Sequence, residues 1–434
     1  MKLTAGVLVA ALTAFAQVSG AQGQRVYPRG PHLPMGFYSL GAGKASLALD
    51  SAFAAGFNLA GPYYGEPSPR TDSVQGAAVR LGFQLVRQLY LPYVNFLEGR
   101  GPHTVLNDSV RARISSDVRT QVETVLADPL QDRSVAWWTV SPEELRYWRS
   151  DEMDYLTLVT ETIRQTERAH GRTPRPIGMY EPNGRNAGSF QRTAAHTDLI
   201  LAGAYVQLAR QPHAWIRWAV TQASEASVRL SNHPAPIAVL QMSQDPPSSV
   251  QWNRDTITTW IRHDVVASLV AGARGVLVWS SARRPGFEHT YDMFAAAYLD
   301  AARLLTAGDR VGDLFATGER VATCGVDVTS GPANVTVNTP QPVAIPSVGV
   351  VCLRSGTSTW VVAVNSAEQP VEARLTGLPA ASTITQVWPR AGASVTAAPT
   401  LSARFSPYGV SAWVLRSADR GARGAPRARH APRR

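Results

Sequence analysis

The sequence predicts a (β/α)8 barrel, an α/β fold of the TIM type, followed by a small all-β sandwich. Three observations predict it. Eight short apolar, β-rich runs lie between residues 35 and 281, separated mostly by helical stretches. Near-continuous apolar runs of this length suit parallel strands buried on both faces. After about residue 308 the composition changes to Val, Thr and Ser, with turn residues at short intervals.

The eight runs follow in order. They are Met35 to Leu40, Gly56 to Gly65, Phe83 to Val94, Ser134 to Val140, Arg175 to Glu181, Asp198 to Val206, Ala235 to Ser243 and Arg274 to Ser281. Between them, helices are expected over 45–55, 73–81 and 142–170, and a last one over 291–306. Ser141, Pro142 and Glu144 read as a capping box opening the 142–170 helix. Eight units in about 270 residues match the usual size of a barrel. An open doubly wound sheet is the competitor, but no glycine-rich phosphate loop is present. Seven strand-like runs between Gly308 and Ser417 read as a β-sandwich.

The 434 residues therefore divide into a signal peptide (1–22), a barrel (30–307), a sandwich (308–417) and a basic tail (418–434). Met1-Lys2, an apolar stretch from Leu3 to about Val18 and small residues near Ala21 form an export signal. The apolar stretch is short for a membrane span, so the mature chain is expected to be secreted or periplasmic. Cys324 and Cys352, 28 residues apart, are expected to form a disulfide in that setting, with two buried thiols as the alternative. Two cysteines without CxxC or HxxxH spacing do not suggest structural zinc.

Net charge is +10, and half of it resides in the last eighteen residues, SADRGARGAPRARHAPRR. Such a tail cannot bury apolar surface and is expected to be disordered, with contact to an anionic surface as a further use. Only Lys2 and Lys44 are lysine among 42 basic residues, which reads as coding bias. No basic motif interleaved with aromatics points to nucleic acid.

A barrel presents its active site at the C-terminal ends of its strands. Those ends carry Tyr38, Tyr63, Tyr64, Trp137, Trp138, Tyr180 and Trp279, with Asn183 just beyond the fifth strand. Flat aromatic faces stack on sugar rings, while carboxylates and amides bind hydroxyls. The grouping suits a glycan cleft, with Trp138, Tyr180, Tyr64 and Trp279 as its platform. Each ring taken alone is more often a core residue than a platform; only the grouping points to a cleft.

Hydrolysis of a glycosidic bond uses two carboxyl groups. Glu181 is followed by Pro182, which ends the fifth strand and leaves a carboxylate at the barrel mouth. Glu143, at the N-terminus of the expected helix, would stay ionised. Glu181 and Glu143 are the preferred catalytic pair and Asp245, after the seventh strand, is the reserve. Turn formation before Pro246 is the plainer role of Asp245. Glu66 has similar standing, and His213 is a further candidate to line the cleft. His196 and Asp198 begin the sixth strand and read as structural. No metal or organic cofactor is implied. The absence of a GxSxG elbow argues against an esterase.

Beyond these residues, MGFYSL followed by AAGFNLAGPYYG resembles the opening of barrel glycoside hydrolases. WNRDTITTWIRHDVVASLVAGARGVLVWS resembles their approach to strand eight, and TWVVAVNSAEQPVEARLTGL with FSPYGVSAWVLR resembles their accessory sandwich. The resemblance implies a carbohydrate substrate and cleavage of O-glycosyl bonds. It departs from the largest retaining clan at strand four, which offers Ser-Pro-Glu-Glu, and at strand seven, which offers Gln244-Asp245. A non-catalytic glycan-binding protein on a hydrolase-derived barrel is the alternative expectation.

Overall fold

The structure is a computed structural model. It describes residues 26–42, 46–63, 69–96, 103–207, 210–242, 252–283, 290–379, 383–389, 394–396 and 400–416. The expected signal peptide and basic tail lie outside these residues. Eight parallel strands close into a barrel in sequence order. They are β1 (Met35–Phe37), β2 (Leu59–Ala60), β3 (Gln84–Gln88), β4 (Val135–Thr139), β5 (Ile177–Glu181), β6 (Leu199–Ala204), β7 (Ala235–Gln241) and β8 (Val276–Trp279), and β8 pairs back to β1. Each falls within one of the eight apolar runs.

Helices return the chain from strand to strand. They are α1 (Leu49–Ala55), α2 (Pro69–Leu81), α3 (Asp108–Ala127), α4 (Pro129–Ser134), α5 (Ser150–Ala169), α6 (Ala187–Ala194), α7 (Ala214–Arg229), α8 (Arg254–Val270) and α9 (Tyr291–Thr306). Asparagine side chains start three of them by accepting a backbone N–H: Asn107 from Val110, Asn186 from Ser189 and Asn253 from Thr256.

Strand alternation sorts the barrel residues into two sets. Leu59, Val86, Trp137, Tyr180, Leu201, Val239 and Leu277 fill the interior. Leu85, Trp138, Ile177, Met179 and Leu240 face outward into the layer shared with the helices. Burying side chains of this size contributes roughly 1.5–3 kcal/mol each, so the two layers together hold the barrel closed.

One expected element begins late. The chain does not enter a helix at Pro142; residues 141–149 form a loop and α5 starts at Ser150. Glu144 has φ 61°, a left-handed conformation that no N-terminal helical turn allows. Buried charge pairing overrides the local capping signal. The Glu152 carboxylate, nearly inaccessible on α5, accepts from the Arg146 backbone N–H at 2.5 Å and from Arg146 Nε at 2.7 Å. Arg146 also donates to the Phe96 carbonyl at 2.6 Å, and Tyr155 donates its hydroxyl to the Ser141 carbonyl. The loop is pinned from beneath instead of being wound into the helix.

Past the barrel, a short helix α10 (Val311–Thr317) precedes the β structure, where the composition predicts strands alone. A six-stranded sheet and a three-stranded sheet then enclose a core of Val361, Ala363, Leu375, Phe405, Trp413 and Leu415. The outer face of the larger sheet packs on the barrel, and Val351, Trp360, Val362 and Val414 join the main barrel core. Arg217 on α7 reaches the Pro346 carbonyl at 2.8 Å, and Arg320 reaches the Leu269 carbonyl at 2.7 Å. Cys324 and Cys352 form the expected disulfide. Among the described residues no helix is long and apolar enough to cross a membrane.

Candidate active site

The C-terminal mouth of the barrel is floored by three rings from three strand ends. Tyr205 follows β6 and lies between Tyr180 of β5 and Trp279 of β8. The ring centroids are 5.8 Å apart on one side and 5.5 Å on the other, with interplanar angles of 20° and 22°. Alternation explains the floor: Leu199, Leu201, Gly203 and Tyr205 fall on one side of the β6 path, and Tyr180 is on the interior side of β5. The hydroxyls of Tyr205 and Tyr180 hydrogen-bond to each other. Burial pushes both phenols above their ordinary range, and the neighbouring carboxylates push them further.

One of those carboxylates is Glu143. Its charge acts on both Tyr180 and Tyr205, and its side chain is half-buried on the loop between β4 and α5. The left-handed turn at Glu144 reverses the chain directly after it, and the Glu144 N–H donates to the Tyr180 carbonyl at 3.2 Å. Glu143 thereby lies on a loop that is tied to the end of β5. An unusual backbone conformation beside a cleft is the kind of feature that marks functional loops. The expected helix N-terminus beneath Glu143 does not exist, so no helix dipole acts on it.

Glu181 is turned the other way. It shares the outward side of β5 with Ile177 and Met179, is only 2% exposed, and forms an ion pair with Arg185. A hydrogen bond with Thr193 on α6 completes its surroundings. Burial raises its carboxyl to about 7, although Arg185 pulls in the opposite direction. A raised carboxyl suits a proton donor, but this one lies behind the barrel wall. The expected pairing of Glu181 with Glu143 across one cleft is therefore corrected by strand alternation. Asp245, Tyr64 and Glu66 lie outside the described residues.

The expected aromatic platform is also partly corrected. Trp138 is fully buried on the outward side, where its Nε1 donates to Glu167 on α5 at 3.0 Å. It packs between sheet and helices and cannot meet a sugar. Trp137 does face the interior, buried among Tyr38, Tyr180 and Leu277, and its Nε1 has no hydrogen-bond partner among the described residues. Tyr38 is fully buried in the same interior cluster. Tyr63 donates its hydroxyl to the Leu40 carbonyl at 2.7 Å and is buried with the helix layer. Asn183 ties two loops together: its Oδ1 accepts from Tyr205 N and Trp215 Nε1, and its Nδ2 donates to the Tyr205 carbonyl. It fixes the central ring of the floor in place.

His213 does not line this floor. It is buried against Asp264 at 2.8 Å and against the rings of Trp260 and Tyr408, at the contact with the sandwich. His213, His263 and Asp264 hold ligand-type atoms within 4.8 Å of one another. They already form a hydrogen-bonded chain that continues from His263 Nε2 to Ser366 Oγ at 2.9 Å.

Two functional candidates were not singled out by the sequence. Tyr205 sits inside the sixth apolar run, and its alternation with Leu199, Leu201 and Gly203 was the available signal. Trp148, 65% exposed and edge-on to Tyr147 at 4.8 Å, stands on the Glu143 loop. The expected helix concealed it.

No family model matches the chain, and no curated protein matches it in sequence. Solved structures do match in fold. A family 27 β-L-arabinopyranosidase from Geobacillus stearothermophilus aligns with a TM-score of 0.54 at 10% identity, over 90% of this chain and 97% of its own. A family 39 glycoside hydrolase from the gut symbiont Bacteroides cellulosilyticus WH2 aligns with a TM-score of 0.53 at 12% identity, over 91% and 83%. AmyP, solved in complex with maltose, aligns with a TM-score of 0.52 at 10% identity, over 89% and 96%. The resemblance read from the sequence motifs thus holds at the level of fold: the chain has the barrel architecture of glycoside hydrolases.

Proposed function

We propose that this chain is an exported glycoside hydrolase whose substrate, an oligosaccharide or polysaccharide, lies over the floor of Tyr180, Tyr205 and Trp279. Glu143 is a reacting carboxylate. The observation that supports this reading is the grouping of Tyr180, Tyr205 and Trp279 at the barrel strand ends, with Glu143 on the adjoining loop and its charge raising both phenols. In this reading the ring cluster gives a sugar apolar surface to pack against, and Glu143 supplies a carboxylate beside it. The second carboxyl in this reading is Asp245, which follows β7 in the sequence. The pair performs general acid/base chemistry with water or attacks the sugar directly, and needs no metal or organic cofactor. Glycoside hydrolases of the same fold support the reading as an analogy of architecture. The apolar N-terminal run and the disulfide support export.

A second reading is a glycan-binding protein without hydrolysis. The outward turn of Glu181 favours it, because Glu143 and Glu144 are sequence neighbours on one loop and adjacent residues of that kind do not flank a bond. A reducing-end release screen of the wild type on bacterial and plant polysaccharides separates the two. Release supports the hydrolase; retention on immobilised glycans with no release supports the binding protein.

A further inference from the structure

We infer that Glu181 and Arg185 act together as a buried clamp that fixes the Glu143 loop from behind the barrel wall, making both of them positioning residues. Arg185 forks in two directions. One arm (Nη1) meets the Glu181 carboxylate and the other (Nη2) donates to the Leu145 carbonyl. Leu145 lies two residues beyond Glu143, on the same loop. The guanidinium carbon also stands 5.5 Å from the centre of the Tyr147 ring. All the principal atoms of the clamp are buried: Glu181 and Arg185 are both nearly inaccessible, and so is Leu145.

The geometry explains why a carboxylate is needed in a place where it cannot touch a substrate. A buried guanidinium without a partner is strongly unfavourable, so Arg185 requires an acid within reach. Glu181 supplies it from the rigid end of β5, and Thr193 holds the carboxylate from α6. The planar fork of arginine then serves two acceptors at once, a strand residue and a loop carbonyl. A barrel strand is thereby coupled to the loop in front of it through a single side chain. Arg146 and Glu152 secure the far half of the same loop from α5. The near half, containing Glu143 and Glu144, hangs from Tyr180 and from the clamp.

The consequence for catalysis rests on the proposed role of Glu143, but the clamp itself does not. Hydrogen–deuterium exchange of the segment 143–149, followed by mass spectrometry, tests it on the full-length chain without any substrate. In Glu181→Gln the uncharged amide pairs weakly with Arg185, and exchange across 143–149 should rise at least tenfold while β6 and β7 stay protected. Arg185→Lys gives the same test if Glu181→Gln does not fold, since lysine keeps the charge and loses the second arm. It should loosen the loop equally. Exchange within twofold of wild type in a folded variant would overturn the clamp.

On a glycan that the wild type hydrolyses, both variants should lower kcat with KM nearly unchanged, and Arg185→Lys should retain more activity than Arg185→Met. Loosening of the loop without hydrolysis by the wild type leaves the clamp standing and removes the hydrolase reading. Hydrolysis dependent on Glu143, with exchange unaltered in both clamp variants, does the reverse.

Discussion

The Tyr180 ring lies directly across Gly203: a Cβ at that position would stand 2.6 Å from the tyrosine hydroxyl and 2.8 Å from the Glu181 carbonyl. One strand thus lacks a side chain so that its neighbour can lay a ring into the barrel mouth. Gly203→Ala must displace both a ring and a backbone carbonyl. Strain of this kind is typically about 1–3 kcal/mol. The variant should melt lower, and glycan binding should weaken more than the stability loss alone accounts for. Calorimetry together with a glycan-binding titration checks both.

The pH dependence of Glu181 has a definite sign. Its carboxyl is raised from 4.5 to about 7 in the folded chain, first by burial, while Arg185 and Thr193 oppose the shift and Glu144 adds to it. The folded chain therefore holds this proton more tightly than the unfolded chain between those values. Its contribution to stability is present at acid pH and is lost as pH rises through about 7. The loss is at most on the order of 3 kcal/mol. Glu181→Gln should flatten that part of the profile, measured by urea unfolding at pH 5 and pH 8. An unchanged slope would remove the assignment to Glu181.

Trp138 gives a contrasting prediction. Trp138→Phe deletes the donor to Glu167, which keeps Arg175 as an ion-pair partner at 3.1 Å. Losing a buried bond to a charged acceptor is typically about 1.5–3 kcal/mol. Thermal unfolding should show the loss, and glycan affinity should not change, because the ring lies outside the barrel interior.

The disulfide joins Cys324, ahead of the three-stranded sheet, to Cys352 in the six-stranded one. Its loop of 28 residues predicts a stabilisation of about 3 kcal/mol in the chain-entropy model. The Cys324→Ser, Cys352→Ser double variant should lose about that amount in chemical unfolding.

Architecture was legible because it follows from alternation that is written locally. Every barrel strand lies inside an apolar run of the sequence, and α9 begins and ends where its pattern predicts, at Tyr291 and Thr306. The site was less legible because it depends on which way a side chain turns and on partners far away in sequence. Glu181 and Trp138 stand at strand ends, as expected, yet both fall on the outward side. Parity along β5 and β4 decided this, and an apolar run read as a block does not expose it. The loop at 141–149 was misread for a different reason. Ser141, Pro142 and Glu144 satisfy a local capping pattern, but Glu152 and Arg185 pin the chain through contacts that no local pattern contains.

The most direct test of the central claim is reducing-end release from a panel of bacterial and plant polysaccharides by wild type and Glu143→Gln side by side. Loss of a reacting carboxylate typically lowers such rates by a factor of about 10² or more. The account predicts release by the wild type and a fall of at least that size in the variant, with glycan binding retained. Release that survives unchanged in Glu143→Gln, or no release by the wild type from any glycan it binds, would contradict it.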